Sequence, residues 1–392
     1  MKQFSISGTT ARSLILAAAL MGQPLAASAA TLTFNGPWVP KADLIRPRGE
    51  HATVVVNKKI YVLGGLHDHM SGPAAVDRYN PSTNVWSQVT TLPLNRNHFN
   101  AAVYGSEIWV VGGKTGDART GTKRVDIYNV ATNTWRSGPS LPEVHWGGPS
   151  VVVGDELHVL TGTQGRDASF VRDHHFVLDL KNPSASWQNR AAVPRPRVHA
   201  GAVAINGKIY LIGGELSHAH TGDTTDVQIY NPATDSWGFG RRLPMPRSHT
   251  DWNTIAFQGS ILSISGIDSS KTPRAQAQIY QYFPDTNSWS RLEDLPRRLA
   301  SPGAAIVNNV LYVSGGGVND WFDADPITGK TMTTLWARGI TATATAATNS
   351  IPSAAPIPLP TAMPLLATGI VALAALAGIR RGRRLLAAAA VR

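Results

Sequence analysis

Cysteine is absent from the 392 residues of this chain, which excludes disulfide bonds and zinc sites built from cysteine pairs. An exported protein need not carry disulfides, because a large β core is stable without them. The chain also lacks a glycine-rich loop with the spacing that cradles phosphates. Its apolar stretch Met363–Ile379 is barely long enough to cross a bilayer. These absences leave no basis for predicting a cofactor.

Negative charge is in the minority, and the positive excess is concentrated at the two ends of the chain. The formal net charge is +11, and removing Lys2, Arg12 and the five arginines that follow Thr361 lowers it to +4. A charge of +4 is mild for a domain of this length. The composition therefore argues against nucleic-acid binding despite the high isoelectric point.

A hexapeptide pattern recurs six times, about once every fifty residues. A fixed period of this size is typical of propellers, solenoids and other repeat arrays. The copies are IYVLGG at Ile60–Gly65, IWVVGG at Ile108–Gly113, LHVLTG at Leu157–Gly162, IYLIGG at Ile209–Gly214, ILSISG at Ile261–Gly266 and LYVSGG at Leu311–Gly316.

Each hexapeptide lies in a wider unit that predicts four strands, a to d. A two-residue turn and an apolar strand precede it, so each unit opens with a hairpin of strands a and b. Strand c then ends in tyrosine or leucine, tryptophan follows seven residues later in strand d, and an apolar residue and a proline leave that strand. The turns are Asn57-Lys58, Gly105-Ser106, Gly154-Asp155, Asn206-Gly207, Gln258-Gly259 and Asn308-Asn309. The strand c ends are Tyr79, Tyr128, Leu180, Tyr230 and Tyr282, and the tryptophans are Trp86, Trp135, Trp187, Trp237 and Trp289.

The sixth tryptophan in this register stands at the start of the chain. Trp38 precedes Leu44 by six residues, whereas Trp336 does not fit the pattern. We therefore predict that Thr31–Lys41 supplies strand d of the last blade. Pairing of the two ends closes the ring without a covalent bond and removes the exposed edge of a linear array.

The glycine pair after strand b, the tyrosine of strand c and the tryptophan before Leu-Pro resemble the Kelch repeat, from about Thr31 to Arg338. The resemblance implies an all-β, six-bladed Kelch β-propeller, closed by an N-terminal strand and followed by a linker and one C-terminal apolar helix. The glycine, tyrosine and tryptophan positions are interpreted as blade packing. The departures are Gly162-Thr163 and Leu180 in blade 3, Gly266-Ile267 in blade 5, and Phe322 with no tryptophan seven residues later in blade 6.

The first residues are typical of a secretory signal, with Lys2 and Arg12 as the positive region, Leu14–Met21 as the apolar run and Ala27-Ser28-Ala29 as the cleavage site. We therefore expect export. The expected domains are a signal peptide at 1–29, the propeller at 30–339, a Thr/Ala/Pro linker at 340–362, and an apolar helix with an arginine cluster at 363–392.

The C-terminal end combines Ile357–Thr361, an apolar stretch and arginines, and this order resembles the PEP-CTERM sorting signals that exosortases process. The motif is similar to the Val-Pro-Leu-Pro-Ala variant, with Thr361 in place of alanine and an additional Leu385–Arg392. The resemblance implies an exosortase-type partner, at least transient membrane insertion, and a place at the cell surface, extracellular matrix or periplasm of a Gram-negative bacterium. The alternative is a single-span anchor with its arginines on the cytoplasmic side.

The d–a and b–c loops of a propeller share one face around the channel mouth, and most of the histidines fall on these loops. Arginines also lie on these loops. Each arginine or histidine could instead have a purely structural role, because such residues donate hydrogen bonds to carbonyls between blades. As a group they predict a positive, hydrogen-bonding face that suits an acidic sugar or an acidic protein loop. The candidate ligand-binding residues are Arg48, His51, Arg96, His98, His145, Arg197, His199, Glu215, Arg247 and His249.

Two histidine pairs have a spacing that could hold an ion between them. They are His67 with His69, and His218 with His220. Two histidines are a weak ligand set, and the two pairs lie in blades 1 and 4, which are opposite in a six-bladed ring. The sequence therefore predicts no metal site.

Two functional hypotheses follow from these observations. The first is a non-catalytic binding module for a glycan or a surface protein, with no nucleic acid among its partners. The alternative is a carbohydrate-active enzyme similar to the sialic-acid mutarotases, in which an arginine such as Arg96 would hold a carboxylate and Glu143, Glu215 or a histidine would move a proton. A likeness to galactose oxidase fails, because that cofactor needs a Tyr–Cys cross-link. Export would exclude a cytoplasmic ubiquitin-ligase adaptor.

Overall fold

The computed structural model describes residues 30–67, 70–71, 74–115, 120–164, 170–182, 184, 186–217, 221–318 and 330–343. The expected signal peptide, the C-terminal helix and all but the first residues of the expected linker lie outside this part of the chain. No helix within the described part is long and apolar enough to cross a membrane.

The described residues form six four-stranded antiparallel sheets, each a blade. From innermost to outermost strand, blade 1 consists of Ala52–Val56, Lys59–Leu63, Ala75–Asn80 and Val85–Thr91; blade 2 of Asn100–Tyr104, Glu107–Val111, Val125–Asn129 and Thr134–Ser137; and blade 3 of Ser150–Val153, Glu156–Leu160, His175–Asp179 and Gln188–Asn189. Blade 4 consists of Gly201–Ile205, Lys208–Ile212, Val227–Asn231 and Ser236–Phe239; blade 5 of Thr254–Phe257, Ser260–Ile264, Ile279–Phe283 and Ser288–Arg291; and blade 6 of Gly303–Val307, Val310–Ser314, Leu335–Thr343 and Thr31–Pro40. Short strands extend the loops at Leu66–His67, Met70–Ser71, Arg96–Asn97, Lys114–Thr115, Thr120–Gly121, Glu215–Ser217 and Thr221–Asp223.

The innermost strands of the six blades contact one another in a closed ring. They line a central channel with a volume of about 570 Å³, whose wall includes Val54, Val103 and Ala204. The a–b turns are those that the sequence predicts, since each strand a pairs with strand b across the expected two residues. The six-bladed propeller is thus confirmed.

Each gap between neighbouring blades is filled by its own hydrophobic cluster. Between blades 1 and 2, for example, Leu63 and Val76 pack with Ile108 and Val110. Equivalent clusters occupy the other five gaps, including the one between blade 6 and blade 1, where Tyr312 packs with Tyr79. Burial of this apolar surface between blades is the main term holding the ring together.

The N-terminal strand closes the ring as predicted. Thr31–Pro40 pairs antiparallel with Leu335–Thr343 in blade 6. The Trp38 indole nitrogen donates to the Asp294 carbonyl of blade 5, 3.1 Å away. In the same way Trp86 donates to the Ala42 carbonyl of the preceding blade. Trp38 is therefore the sixth member of the tryptophan series.

Strand c of blade 6 is Leu335–Thr343. Phe322, which the sequence analysis had compared with the strand c tyrosines, lies outside the described residues. The strand also passes the expected domain boundary at residue 339, because Ile340 and the three residues after it pair with strand d.

Blades 3 and 5 depart from the repeat in a different place from the one expected. The strand ladders place Leu178, opposite Leu157, where blade 2 has Tyr128 opposite Ile108, so Leu180 lies beyond the tyrosine position. In both blades the first glycine of the pair is the one replaced. Thr161 (φ 44°) and Ser265 (φ 59°) take its left-handed conformation. Their hydroxyls donate to carbonyls of the next loop, which compensates for the backbone strain.

Candidate site at the channel mouth

Six residues in the left-handed conformation surround one end of the channel, one from each d–a loop. Their φ angles lie between 49° and 67°. Backbone hydrogen bonds join them from blade to blade, as where Gly147 donates to His98 and His199 donates to Gly147. Side chains in this conformation cost about 1–2 kcal/mol each and cluster at functional sites. We call these residues the mouth ring: Glu50, His98, Gly147, His199, His249 and Ser301.

A buried carboxylate joins two histidines of the mouth ring. The Glu50 Oε2 atom lies 3.2 Å from His98 Nε2, and Glu50 Oε1 lies 3.6 Å from His249 Nε2. All three side chains are at most 8% exposed. The ring thus brings groups from blades 1, 2 and 5 into one cluster.

The third histidine completes the cluster from blade 4. The His199 ring stacks on His249, with centroids 4.1 Å apart and planes inclined by 10°. Its Nδ1 lies 3.5 Å from Asp251 Oδ2, and its Nε2 lies 3.9 Å from Glu215 Oε1. Each of the two ring nitrogens of His199 therefore faces a different carboxylate.

Burial shifts the acid–base properties of this cluster. Removal from water raises the pKa of Glu50 to about 7 and that of Glu215 to about 8. Burial also disfavours a charged His199, but the hydrogen bond and charge of Asp251, with Glu50 and Glu215, outweigh it and raise its pKa to about 9. Imidazole nitrogens and carboxylate oxygens so arranged can exchange protons or hold a transition metal ion.

The four predicted arginines lie elsewhere. Each is fully buried and donates to carbonyl or side-chain oxygens within its own blade, so none reaches the mouth ring. Three of them lie against a buried aspartate in strand c or directly before it: Arg48 with Asp77, Arg96 with Asp126, and Arg197 with Asp226. The fourth, Arg247, donates to the Ser263 carbonyl at 2.9 Å and stacks over Tyr280. These four arginines are therefore structural contacts inside the blades, and we call them the arginine braces.

Two predicted histidines also make buried structural hydrogen bonds instead of facing the mouth ring. His51 Nε2 lies 3.1 Å from Ser314 Oγ in blade 6, and His145 Nδ1 lies 2.9 Å from His174 Nε2 in blade 3. Burial lowers the pKa of His51 to about 3 and that of His145 to about 4. Of the histidine pairs considered for metal, His67 is described in the short strand Leu66–His67, whereas His69, His218 and His220 lie outside the described residues.

Of the residues in this cluster, the sequence analysis had named His98, His199, Glu215 and His249 as candidates, but not Glu50. The signal was present in the repeat alignment. Counting two residues on from Arg96, Arg197 and Arg247 gives the three histidines of the cluster, and the same count from Arg48 gives Glu50. The neighbouring His51 attracted attention because of its residue type, although it is one position out of register.

The fold and the mouth ring together define a propeller of Kelch repeats. The Kelch motif matches residues 47–93, 95–142 and 196–240, which are blades 1, 2 and 4 with their d–a loops. This chain is therefore a six-bladed β-propeller that carries Kelch repeats.

Several known proteins are similar to parts of this chain. Kelch-like protein terF of Aspergillus terreus is 26% identical over 304 residues, covering 73% of this chain and 63% of that protein. Kelch repeat and BTB domain-containing protein 1 of camelpox virus is 30% identical over 161 residues, or 41% of this chain and 27% of the viral protein. Beta-scruin of Limulus polyphemus is 27% identical over 220 residues, or 54% of this chain and 24% of beta-scruin. The chain thus spans between about a quarter and just under two thirds of these relatives.

Proposed function

We propose that this protein is an exported binding module that takes a protein ligand on the face around the mouth ring. Kelch propellers generally bind proteins, which supports this class of ligand. Export rests on the sequence of residues 1–29, and retention at the cell surface rests on the resemblance of the C-terminal end to a sorting signal.

The observation that carries the proposal is the exposure of two apolar side chains on the loops of this face, which we call the apolar pair. Phe170, in the b–c loop of blade 3, is 67% exposed, and Leu216, in the b–c loop of blade 4, is 56% exposed. Large exposed side chains on neighbouring loops are what protein partners bury at the centre of an interface, where aromatic residues contribute most.

A polar cavity adjoins Phe170. It has a volume of about 530 Å³, and its wall contains Lys123, Arg172, Gln164 and Glu143. The Gln164 amide contacts the Glu143 carboxylate and its oxygen accepts a hydrogen bond from Arg172 at 3.0 Å. A cavity with two cations beside an exposed aromatic ring suits an acidic or amide-bearing protein loop.

Site-specific photo-crosslinking tests the proposal. We would replace Phe170 with benzoyl-phenylalanine in the exporting bacterium and identify the adducts by mass spectrometry. The matched control is the same replacement at Phe239, which is 54% exposed on the outermost strand of blade 4. We expect one protein adduct that forms from position 170, does not form from position 239, and disappears in a Leu216→Ala background.

Other outcomes would overturn the proposal. Equal adducts from both positions would mean nonspecific contact. Glycan binding without a protein adduct would favour a binding module whose ligand is a glycan. Mutarotation of an acidic sugar would favour the enzyme. Export is tested separately by sequencing the mature N terminus, which we expect at Ala30, and by locating the C terminus relative to Pro360.

A further inference from the structure

We propose that Glu50, His98, His199 and His249 of the mouth ring form a binding site for one divalent first-row transition metal ion, with Zn²⁺ as the reference ion. This inference concerns residues other than the apolar pair and does not depend on the protein-ligand proposal. It is also distinct from the histidine pairs that the sequence offered.

The spacing of the donor atoms matches such an ion. One ligand atom each from Glu50, His199 and His249 lies within 4.8 Å of the others. Metal–ligand bonds of about 2.0–2.2 Å in tetrahedral geometry place ligand atoms about 3.3–3.6 Å apart. The separations of Glu50 from His98 Nε2, 3.2 Å, and from His249 Nε2, 3.6 Å, are of that size. These two distances go to different oxygens of Glu50, and His98 lies outside the group of three whose ligand atoms are all within 4.8 Å. The His199 and His249 rings are also stacked nearly parallel, so at least one ring must turn for both Nε2 atoms to face the same ion.

The orientation of the imidazole rings is a second argument. In each histidine the Nδ1 atom is held by a neighbouring oxygen, which leaves Nε2 facing the carboxylates. The holding atoms are Asn97 Oδ1 for His98 at 2.5 Å, Asp251 Oδ2 for His199 at 3.5 Å and Ser248 Oγ for His249 at 2.9 Å. Metal-ligating histidines have this arrangement, because the outer oxygen fixes the tautomer and the ring direction.

The backbone is a third argument. All four residues take the left-handed conformation, with φ between 49° and 55°. They project from blades 1, 2, 4 and 5 toward the same end of the channel. Strain repeated at four converging positions is typical of sites that are organised before the ligand arrives.

The donor set also predicts selectivity. Three imidazole nitrogens and one carboxylate suit Zn²⁺, Co²⁺, Ni²⁺ or Cu²⁺, whereas Ca²⁺ and Mg²⁺ prefer oxygen ligands. We therefore expect binding of the first group and none of the second at this cluster.

Metal titration of the full-length chain tests the site. After EDTA treatment and dialysis, Zn²⁺ binding is measured by calorimetry and Co²⁺ binding by visible absorption. We expect one equivalent per chain, a Co²⁺ spectrum of nitrogen and oxygen ligation, and no saturation with Ca²⁺ or Mg²⁺. In the double variant His199→Ala/His249→Ala we expect affinity to fall by at least about 100-fold, because two ligands are lost.

Two further variants keep the test decisive. Asp251→Asn retains all four ligands but weakens the hold on His199, and we expect a 10- to 100-fold loss of affinity with the Co²⁺ spectrum displaced. His67→Ala/His69→Ala removes a histidine pair that the sequence offered for metal binding and that is separate from the proposed ligands, and we expect no change in stoichiometry. Circular dichroism in EDTA confirms that each variant is folded, and a variant that fails this check is replaced by His98→Gln.

Three results would overturn the inference. The first is absence of saturable Zn²⁺ binding in the wild-type protein, which would leave the cluster as an ion-pair network. The second is retention of wild-type affinity in the folded double variant. The third is loss of the bound equivalent in His67→Ala/His69→Ala, which would place the ion at that histidine pair.

Discussion

The Nδ1 atom of His158 lies 2.9 Å from the Nε2 atom of His175, and both rings are buried in blade 3. His175 Nδ1 lies 3.2 Å from the Ala191 carbonyl oxygen, which can only accept a hydrogen bond. His175 Nε2 must then accept from His158 Nδ1. The hydrogen bond between the rings is therefore lost when His175 is protonated at Nε2. Burial lowers the pKa of His158 to about 3 and that of His175 to about 4.

The first prediction concerns acid stability. Below about pH 6.5 the unfolded chain protonates these rings, whereas the folded rings remain neutral until about pH 4. Because the unfolded state binds more protons in this window, the free energy of unfolding falls as the pH decreases from 6.5 toward 4. We expect His158→Gln to reduce the loss between pH 7.5 and pH 5 by about 1–2 kcal/mol, measured by urea denaturation. An unchanged loss would mean that the pair does not carry the effect.

The second prediction concerns the close approach of glycine to the next blade. Gly112 has φ +61°, and a Cβ atom there would overlap the carbonyl oxygen of His145. Gly105 has φ +59° but open space around it, so it is a matched control. We expect Gly105→Ala to cost about 1 kcal/mol from conformation alone and Gly112→Ala about 3 kcal/mol or more, since the backbone must also move. Equal losses in thermal denaturation would show that the blades do not meet at this point.

The third prediction concerns the arginine braces. Arg48 is fully buried against Asp77, so Arg48→Ala leaves a carboxylate in the blade with weaker compensation. We expect a loss of about 3–5 kcal/mol. The control is Arg291→Ala, which breaks an exposed pair with Asp294 and should change stability by less than about 1 kcal/mol. A small effect at Arg48 would indicate that Arg46, 2.9 Å from the same aspartate, is sufficient.

The fourth prediction concerns closure of the ring. Thr33 and Thr341 are paired across the closing strands, with hydroxyl oxygens 2.9 Å apart. Because the chain has no cysteine, Thr33→Cys/Thr341→Cys can form only one intramolecular disulfide. We expect the oxidised variant to be more stable than its reduced form by roughly 2–5 kcal/mol, since the bridge closes nearly the whole chain. We call the pairing of Thr31–Pro40 with Leu335–Thr343 the seam of blade 6. Equal stability of both forms would mean that unfolding starts away from this seam.

Much of the fold could be predicted, because the same turn, glycine and tryptophan positions recur in most of the six blades. The blade number, the a–b turns and the closing role of Trp38 follow from spacing alone. Strand c of blade 6 could not be predicted in this way. Its connection is long, and the repeat residues that mark strand c in other blades are missing, so pairing with Thr31–Pro40 decides its position.

The candidate site was predicted less well. Residue type suggested that exposed arginines and histidines would share one face. Arg197 instead turns into the blade, where the Gly213 carbonyl after strand b and the carbonyl and carboxylate of Asp226 before strand c provide acceptors. Glu50 and His199 meet only because the left-handed turn before each strand a directs side chains of distant blades toward one axis. Such convergence is a property of the closed ring and is absent from any single repeat.

The seam in blade 6 has a consequence for biosynthesis. Thr33 and Thr341 are 308 positions apart, so the closing sheet cannot form until almost the whole propeller has been synthesised. Until then the growing chain exposes unpaired strand edges at both ends of the array, and such edges invite association with other chains. Folding of this protein should therefore be most sensitive to chaperones in the interval between completion of blade 5 and arrival of Leu335–Thr343.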